Sequence, residues 1–170
     1  MTYAIEVQDD RCQLYNVLTT VTSDADKVTA WINEIEYVHR RRLNRLIVGL
    51  DIEWRPNSGS NQQNPVATLQ LCVGRRCLIF QLLYCQYIPY ALTEFLSNPR
   101  YAFAGVGEVG GNAGLKTLCG VVLGREMEKP GHVTMGRWDN EWLDMAQVQY
   151  ACVDAFVSFE IGKCLNASGY

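Results

Sequence analysis

The stretch that most constrains this chain is residues 45–56, Arg-Leu-Ile-Val-Gly-Leu-Asp-Ile-Glu-Trp-Arg-Pro. Leu46, Ile47, Val48, Leu50 and Ile52 form an aliphatic, partly β-branched run closed by a proline. That is the pattern of a strand covered on both faces. Two acids interrupt it. Side chains alternate along a strand, so Asp51 and Glu53 point the same way, roughly 6–7 Å apart by strand rise. Two carboxylates on one buried face repel each other and lose hydration, so one of them holds a proton or both find a counter-charge. A divalent ion such as Mg²⁺ or Mn²⁺, which prefers carboxylate oxygens, removes both problems. The alternative is that both acids lie at the strand's end, in water.

Around this strand the hydrophobic periods predict an α/β chain. Residues 3–8 and 12–21 read as strands joined by a turn at Asp9, Asp10 and Arg11. Ser23 or Asp24 caps a helix running to about Tyr37, with Val28, Trp31, Ile32 and Ile35 on one face. The tract His39, Arg40, Arg41, Arg42, followed by Arg45, has two readings. It is a phosphate-contacting or nuclear-import patch, or a solvated helix end whose cations suit the helix dipole. Residues 57–64, rich in Asn, Ser and Gln, read as a loop. Residues 66–73 and 77–82 read as a hairpin around Gly74, Arg75 and Arg76, which makes an antiparallel meander with strand 46–54, the expected central strand of a mixed sheet. Helical spacing returns over 88–97, and a further strand over 102–106 is reached through that helix, so it lies parallel to 46–54.

Residues 108–114, Glu-Val-Gly-Gly-Asn-Ala-Gly, carry three glycines directly after a strand, but no GxGxxG fingerprint follows. A helix over 115–123 stops at Gly124, and Lys129, Pro130 and Gly131 break the chain again. The last helix covers about 145–164, opened by a capping box of Asp144 and Gln147. Tyr150 and Asp154, four residues apart, are neighbours on its surface. An aspartate inside an otherwise apolar helix needs a partner: a buried Arg or Lys, or the same metal as Asp51 and Glu53.

At 170 residues, 48% hydrophobic and 19% charged, with no internal repeat, the chain fits a single domain over 1–170. A net charge of −3 gives no global basic field. The seven cysteines are odd in number and lack a CxxC pair, and with His39 and His132 as the chain's histidines no zinc set assembles. The lack of a basic-apolar leader or a membrane-length apolar run predicts an intracellular chain, nuclear or cytoplasmic, with no membrane partner.

With both acid motifs placed, the sequence resembles the DEDD-type 3′–5′ exonucleases of the DnaQ-like group, in particular plant Werner-syndrome-like exonuclease domains. Val-Gly-Leu-Asp-Ile-Glu-Trp-Arg-Pro at 48–56 resembles the family's first motif. Tyr-Ala-Cys-Val-Asp at 150–154 resembles its third, Tyr-x-x-x-Asp, which defines the tyrosine subclass. Pro-Val-Ala-Thr-Leu-Gln-Leu at 65–71 and Arg-Trp-Asp-Asn-Glu-Trp at 137–142 match family phrases too. The second motif departs. Phe-Ala-Gly-Val-Gly at 103–107 resembles its start, but Gly111 stands where the family has an aspartate. The segment that separates this motif from Asn-Ala-Gly-Leu-Lys in relatives is missing, so the two phrases are fused near 107–112.

The resemblance implies a ribonuclease-H-like mixed sheet, an antiparallel meander plus a parallel strand flanked by helices, truncated in the middle. It implies two-metal hydrolysis of phosphodiesters with two Mg²⁺ or Mn²⁺ ions. Asp51 would bridge both metals, Glu53 and Asp154 would each hold one, and Tyr150 would orient the attacking water. With the second-motif acid absent, the second metal site is weakened, and Glu108 is the nearest substitute ligand. The implied partner is a single-stranded or 3′-ended DNA or RNA. Trp54 would either stack on a base or pack in the core, and Arg40, Arg41 and Arg42 are candidate phosphate contacts. Assembly as a homo-oligomer, or with full-length homologues, suits a catalytically inactive relative.

Overall fold

The computed structural model describes residues 1–9, 11–56, 59, 64–105 and 115–167. Among these residues, six strands form one sheet in the order β1-β2-β5-β4-β3-β6. They are β1 (Thr2–Gln8), β2 (Leu14–Thr22), β3 (Ile47–Trp54), β4 (Val66–Val73), β5 (Arg76–Gln81) and β6 (Ala102–Gly105). β3, β4 and β5 make the expected antiparallel meander, with Asp51 opposite Gln70 and Cys72 opposite Cys77. Gly74 turns the β4–β5 hairpin at φ +58°, a conformation that excludes most other residues. β6 runs parallel to β3, as the intervening helix requires.

One expectation is corrected. β3 is not the middle strand of the sheet but lies one strand in from its β6 edge, because β2 pairs parallel with β5 and carries the β1–β2 hairpin onto the far side. Strand periodicity fixes which face a residue takes, not which neighbour a hairpin chooses.

Helices cover both faces. On one, α1 (Ala25–Val38) and α2 (Tyr90–Ser97) set Val28, Trp31, Ile32, Ile35, Leu92 and Phe95 against Val48, Leu71, Leu78 and Phe80. Asp24 caps α1, its Oδ1 accepting from the amides of Asp26 and Lys27 at 2.9 and 3.4 Å. On the other face lies α5 (Met145–Ala167), which runs three residues past its expected end. Its capping box is closed in both directions. The Gln147 amide donates to Asp144 Oδ1 at 2.8 Å, and Gln147 Oε1 accepts from the Asp144 amide at 3.1 Å. Val148, Ala151, Cys152, Ala155 and Phe156 bury against Val17, Ala67, Cys77 and Ile79. The opposite side of α5 is buried too, by α3 (Leu115–Leu123), whose Leu115 and Cys119 meet Val157 and Ile161. A short helix, α4 (Gly131–Thr134), precedes α5.

β3 and α5 touch closely at Gly49. A Cβ there would lie 2.6 Å from the Phe159 amide nitrogen and 2.8 Å from its Cβ, and would run into the Ala155 carbonyl oxygen. A glycine inside a strand marks such an approach of another backbone. This contact sets the height at which the next turn of α5, carrying Asp154, stands over β3. No helix among the described residues is long and apolar enough to cross a membrane.

Candidate metal centre

Asp51 and Glu53 come from the carboxyl half of β3, and Asp154 from the middle of α5. Each offers a carboxylate oxygen, and these oxygens lie within 4.8 Å of one another. Strand alternation puts the first two on the α5 face, and the Gly49 contact brings the third down onto them. Asp154 is 1% exposed, while Asp51 and Glu53 are half-buried at the cluster's open side.

Burial, then the charge of Asp154, pushes the Asp51 carboxyl up to about 7. Burial, then Asp51 and Asp154, pushes Glu53 up to about 9. Burial also raises Asp154, against the opposing pull of Lys129 and the Tyr150 hydroxyl. Lys129 Nζ donates to Asp154 Oδ2 at 2.8 Å and stands 5.4 Å from the centre of the Tyr150 ring. Burial works against its ammonium, but the Asp154 charge and hydrogen bond hold the pKa above the ordinary lysine range. Asp51 Oδ2 and Asp154 Oδ1 are buried with no hydrogen-bond partner among the described residues. An orphaned carboxylate oxygen is costly in a folded protein unless something satisfies it. Two of them facing a third acid, all hard oxygen donors, fit a Mg²⁺ or Mn²⁺ ion. The two partners weighed for Asp154 are thus not exclusive: one of its oxygens holds a lysine and the other is open to a metal.

Tyr150 is buried one turn before Asp154, packed at 5.9 Å against the Trp138 ring. Its hydroxyl accepts from Thr134 Oγ1 at 3.4 Å, and burial holds its pKa up, so it stays a phenol at neutral pH. Trp138 donates in turn to the Thr134 carbonyl at 3.3 Å, so α4 and Trp138 fix the tyrosine in place.

The remaining candidates lie apart. Trp54 is 41% exposed, which removes core packing as its role and leaves an indole on the surface next to Glu53. Arg55 ties that strand end to Asp139 at 3.5 Å, and Asp139 also pairs with Arg137. Arg40 donates to the Tyr37 carbonyl at 2.8 Å and stacks over the Tyr37 ring, while Arg42 faces His39 Nδ1 at 3.2 Å. These contacts lie at the end of α1, where cations also suit the helix dipole. This tract borders Ile47, at the amino end of β3, about 13 Å of strand from Asp51. Glu108, the 107–112 junction and most of the 57–64 loop lie outside the described residues. Lys129 was visible in the sequence only as part of a chain break before Pro130. A lone lysine 25 residues from its partner carries no local signal.

No protein-family model matches the chain. Among curated proteins it is similar to a 3′-5′ exonuclease of Arabidopsis thaliana, 27% identical across 150 residues, covering 70% of this chain and 52% of that protein. It is also similar to the bifunctional 3′-5′ exonuclease/ATP-dependent helicase WRN of Mus musculus, 28% identical across 154 residues, covering 72% of this chain and 11% of that protein. The chain thus spans about half, or much less, of the length of the relatives it matches. Among solved structures, Escherichia coli RNase D superposes with a TM-score of 0.66 at 12% identity, over 89% of this chain and 46% of that one. The Aedes aegypti Nibbler EXO domain superposes with a TM-score of 0.59 at 15% identity, over 88% and 87%. The Trypanosoma brucei RNase D complex with RNA U12 gives 0.62 at 14% identity, over 86% and 62%. The structural likenesses establish a ribonuclease-H-like fold, and the curated relatives that the chain resembles are named as 3′-5′ exonucleases.

Proposed function

We propose that this chain is a divalent-metal-dependent 3′–5′ exonuclease domain of the tyrosine subclass, related to plant Werner-like exonucleases, and slowed by the loss of its second motif. The observation that carries this reading is the convergence of Asp51, Glu53 and Asp154 within 4.8 Å, with two buried carboxylate oxygens lacking a partner. A bound Mg²⁺ or Mn²⁺ supplies a polarised phosphodiester oxygen and a more acidic water. The chain's own groups do the rest. Asp51 and Asp154 offer their open oxygens to the ion, and Glu53 completes the face. The phenol of Tyr150, held by Thr134 and Trp138, orients a water beside Asp154. Trp54 offers a stacking surface to a terminal base.

The lost second motif has support in the matched lengths. The Arabidopsis match uses 150 residues of the relative but only 70% of this 170-residue chain, which is fewer than 150. The relative therefore carries residues within the matched span that this chain lacks. The substrate is a single-stranded or 3′-ended nucleic acid, and the RNA bound to Trypanosoma brucei RNase D makes RNA one natural probe. A second reading, an inactive relative that binds ends or assembles with full-length homologues, is favoured by Gly111 standing where the family has an acid.

The test digests one 3′-extended, labelled substrate, as DNA and as RNA, in Mg²⁺ or Mn²⁺. The chain is compared with a chimaera carrying a relative's second-motif segment, and Asp51→Asn serves as the blank. We expect cleavage above the blank but ~10–100-fold below the chimaera, since loss of even an outer-shell partner costs that much. Cleavage equal to the blank selects the inactive reading. Cleavage equal to the chimaera refutes impairment.

A further inference from the structure

Resting on the metal-site reading above, we infer that Lys129 stands in for a second divalent ion, so that in the absence of nucleic acid the centre takes one Mg²⁺ or Mn²⁺ per chain rather than two. The geometry counts the ligand atoms. Asp154 Oδ2 is already occupied by Lys129 Nζ at 2.8 Å, which leaves Asp154 Oδ1 and Asp51 Oδ2 as the buried oxygens without a partner. Asp51, Glu53 and Asp154 each bring one carboxylate oxygen within 4.8 Å of the others, so the three acids present one three-oxygen face. That is a half-set for a single octahedral ion whose other positions are water.

Charge gives the same count. Among the described residues, Lys129 is the one lysine or arginine in an ion pair with any of the three acids. Three carboxylates and one ammonium leave two negative charges, which one divalent ion cancels. A second ion would leave the buried cluster two charges positive, and uncompensated charge is expensive where water is scarce. The lysine is well placed for this role. Its ammonium stands over the Tyr150 ring, 5.4 Å from the centre, and its side chain is 30% exposed while that of Asp154 is 2% exposed. The ammonium thus sits between solvent and the deepest carboxylate, where it blocks an ion from reaching Asp154 Oδ2.

The experiment counts bound Mn²⁺ on the full chain, by isothermal titration and by loss of the free-ion electron paramagnetic resonance signal, with no nucleic acid present. We expect one ion per chain for the wild type and for Lys129→Arg, which keeps the charge, and two for Lys129→Met, which frees Asp154 Oδ2. Lys129→Gln, with circular dichroism to check folding, repeats the neutral test if the methionine variant misfolds. Two ions on the wild type, or one on a folded neutral variant, would overturn the stand-in role and leave the metal reading intact. No Mn²⁺ on the wild type, or the same binding by Asp51→Asn, would overturn the metal reading itself and this inference with it.

Discussion

Gly49→Ala should separate the two halves of the centre without touching an acid. The added methyl would lie 2.6 Å from the Phe159 nitrogen and 2.8 Å from its Cβ, and would overlap the Ala155 carbonyl oxygen. Two of these three obstacles are helix backbone, which cannot swing aside as a side chain can, so α5 must back off β3 by roughly 1 Å. Overpacking of this kind sits at the upper end of its usual range, about 3 kcal/mol, which for a chain of this size lowers Tm by ~6–12 °C. Asp154 is the residue before Ala155, so it moves with the helix. A metal–oxygen bond of about 2.1 Å does not stretch to match, and Mn²⁺ affinity should fall ~10–100-fold. Gly74→Ala is the control. Its φ of +58° makes alanine strained by about 1–2 kcal/mol, but its Cβ would enter open space, so Mn²⁺ binding should not change. Calorimetry and Mn²⁺ titration on the three proteins decide the matter. Gly49→Ala with an unchanged Tm and unchanged Mn²⁺ affinity would refute the claim that this contact sets the height of Asp154 over β3.

Stability without metal should fall as pH rises. Asp51 is raised from 3.8 to about 7 and Glu53 from 4.5 to about 9, so the folded chain keeps protons that the unfolded chain has released. The contribution is fully present below about pH 4 and is lost through pH 7 and on toward 9. The Asp51 rise alone corresponds to about 4 kcal/mol, which screening at the open side of the cluster cuts to about 2 kcal/mol. Denaturation in EDTA across this window checks it, and a Tm that rises with pH would contradict it; added Mn²⁺ should remove the fall. Trp54→Ala should weaken binding of a fluorescent single-stranded 3′ end by ~1–3 kcal/mol with little change in Tm, because Trp54 is 41% exposed and supports little core. Unchanged anisotropy titrations would exclude stacking.

The elements were legible where a single period governs several consecutive residues. The run 46–54, the hairpin around Gly74 and the Asp144–Gln147 cap each state their conformation locally, and the structure follows them within a few residues. Sheet order was not legible at the β1–β2 hairpin. Its alternation says which face is buried, but the choice of β5 as neighbour is made by Val17 and Thr19 packing against α5, far away in sequence. The basic tract shows the opposite limit. Its composition allowed a phosphate site or a helix end, and the structure adds what no spacing showed, that Arg40 folds back onto Tyr37 and that the tract borders the amino end of β3.

The acids were legible because their placement violates the rule their surroundings obey. A carboxylate in an aliphatic strand or an apolar helix demands a partner, and three such violations within one fold predict that they answer each other. Gly49 and Lys129 violate nothing. A glycine in a strand and a lysine in a loop are ordinary until α5 is laid across β3, when the one becomes the point of closest approach and the other the counter-ion of Asp154. The charge state of the centre therefore follows from a residue that no motif contains. A lysine covering the deepest acid makes three carboxylates tolerable in the metal-free chain, and it also limits how many cations can follow. Folding without metal and full loading with metal thus pull on the same side chain in opposite directions, which is why counting ions on the Lys129 variants tests the centre more sharply than measuring cleavage.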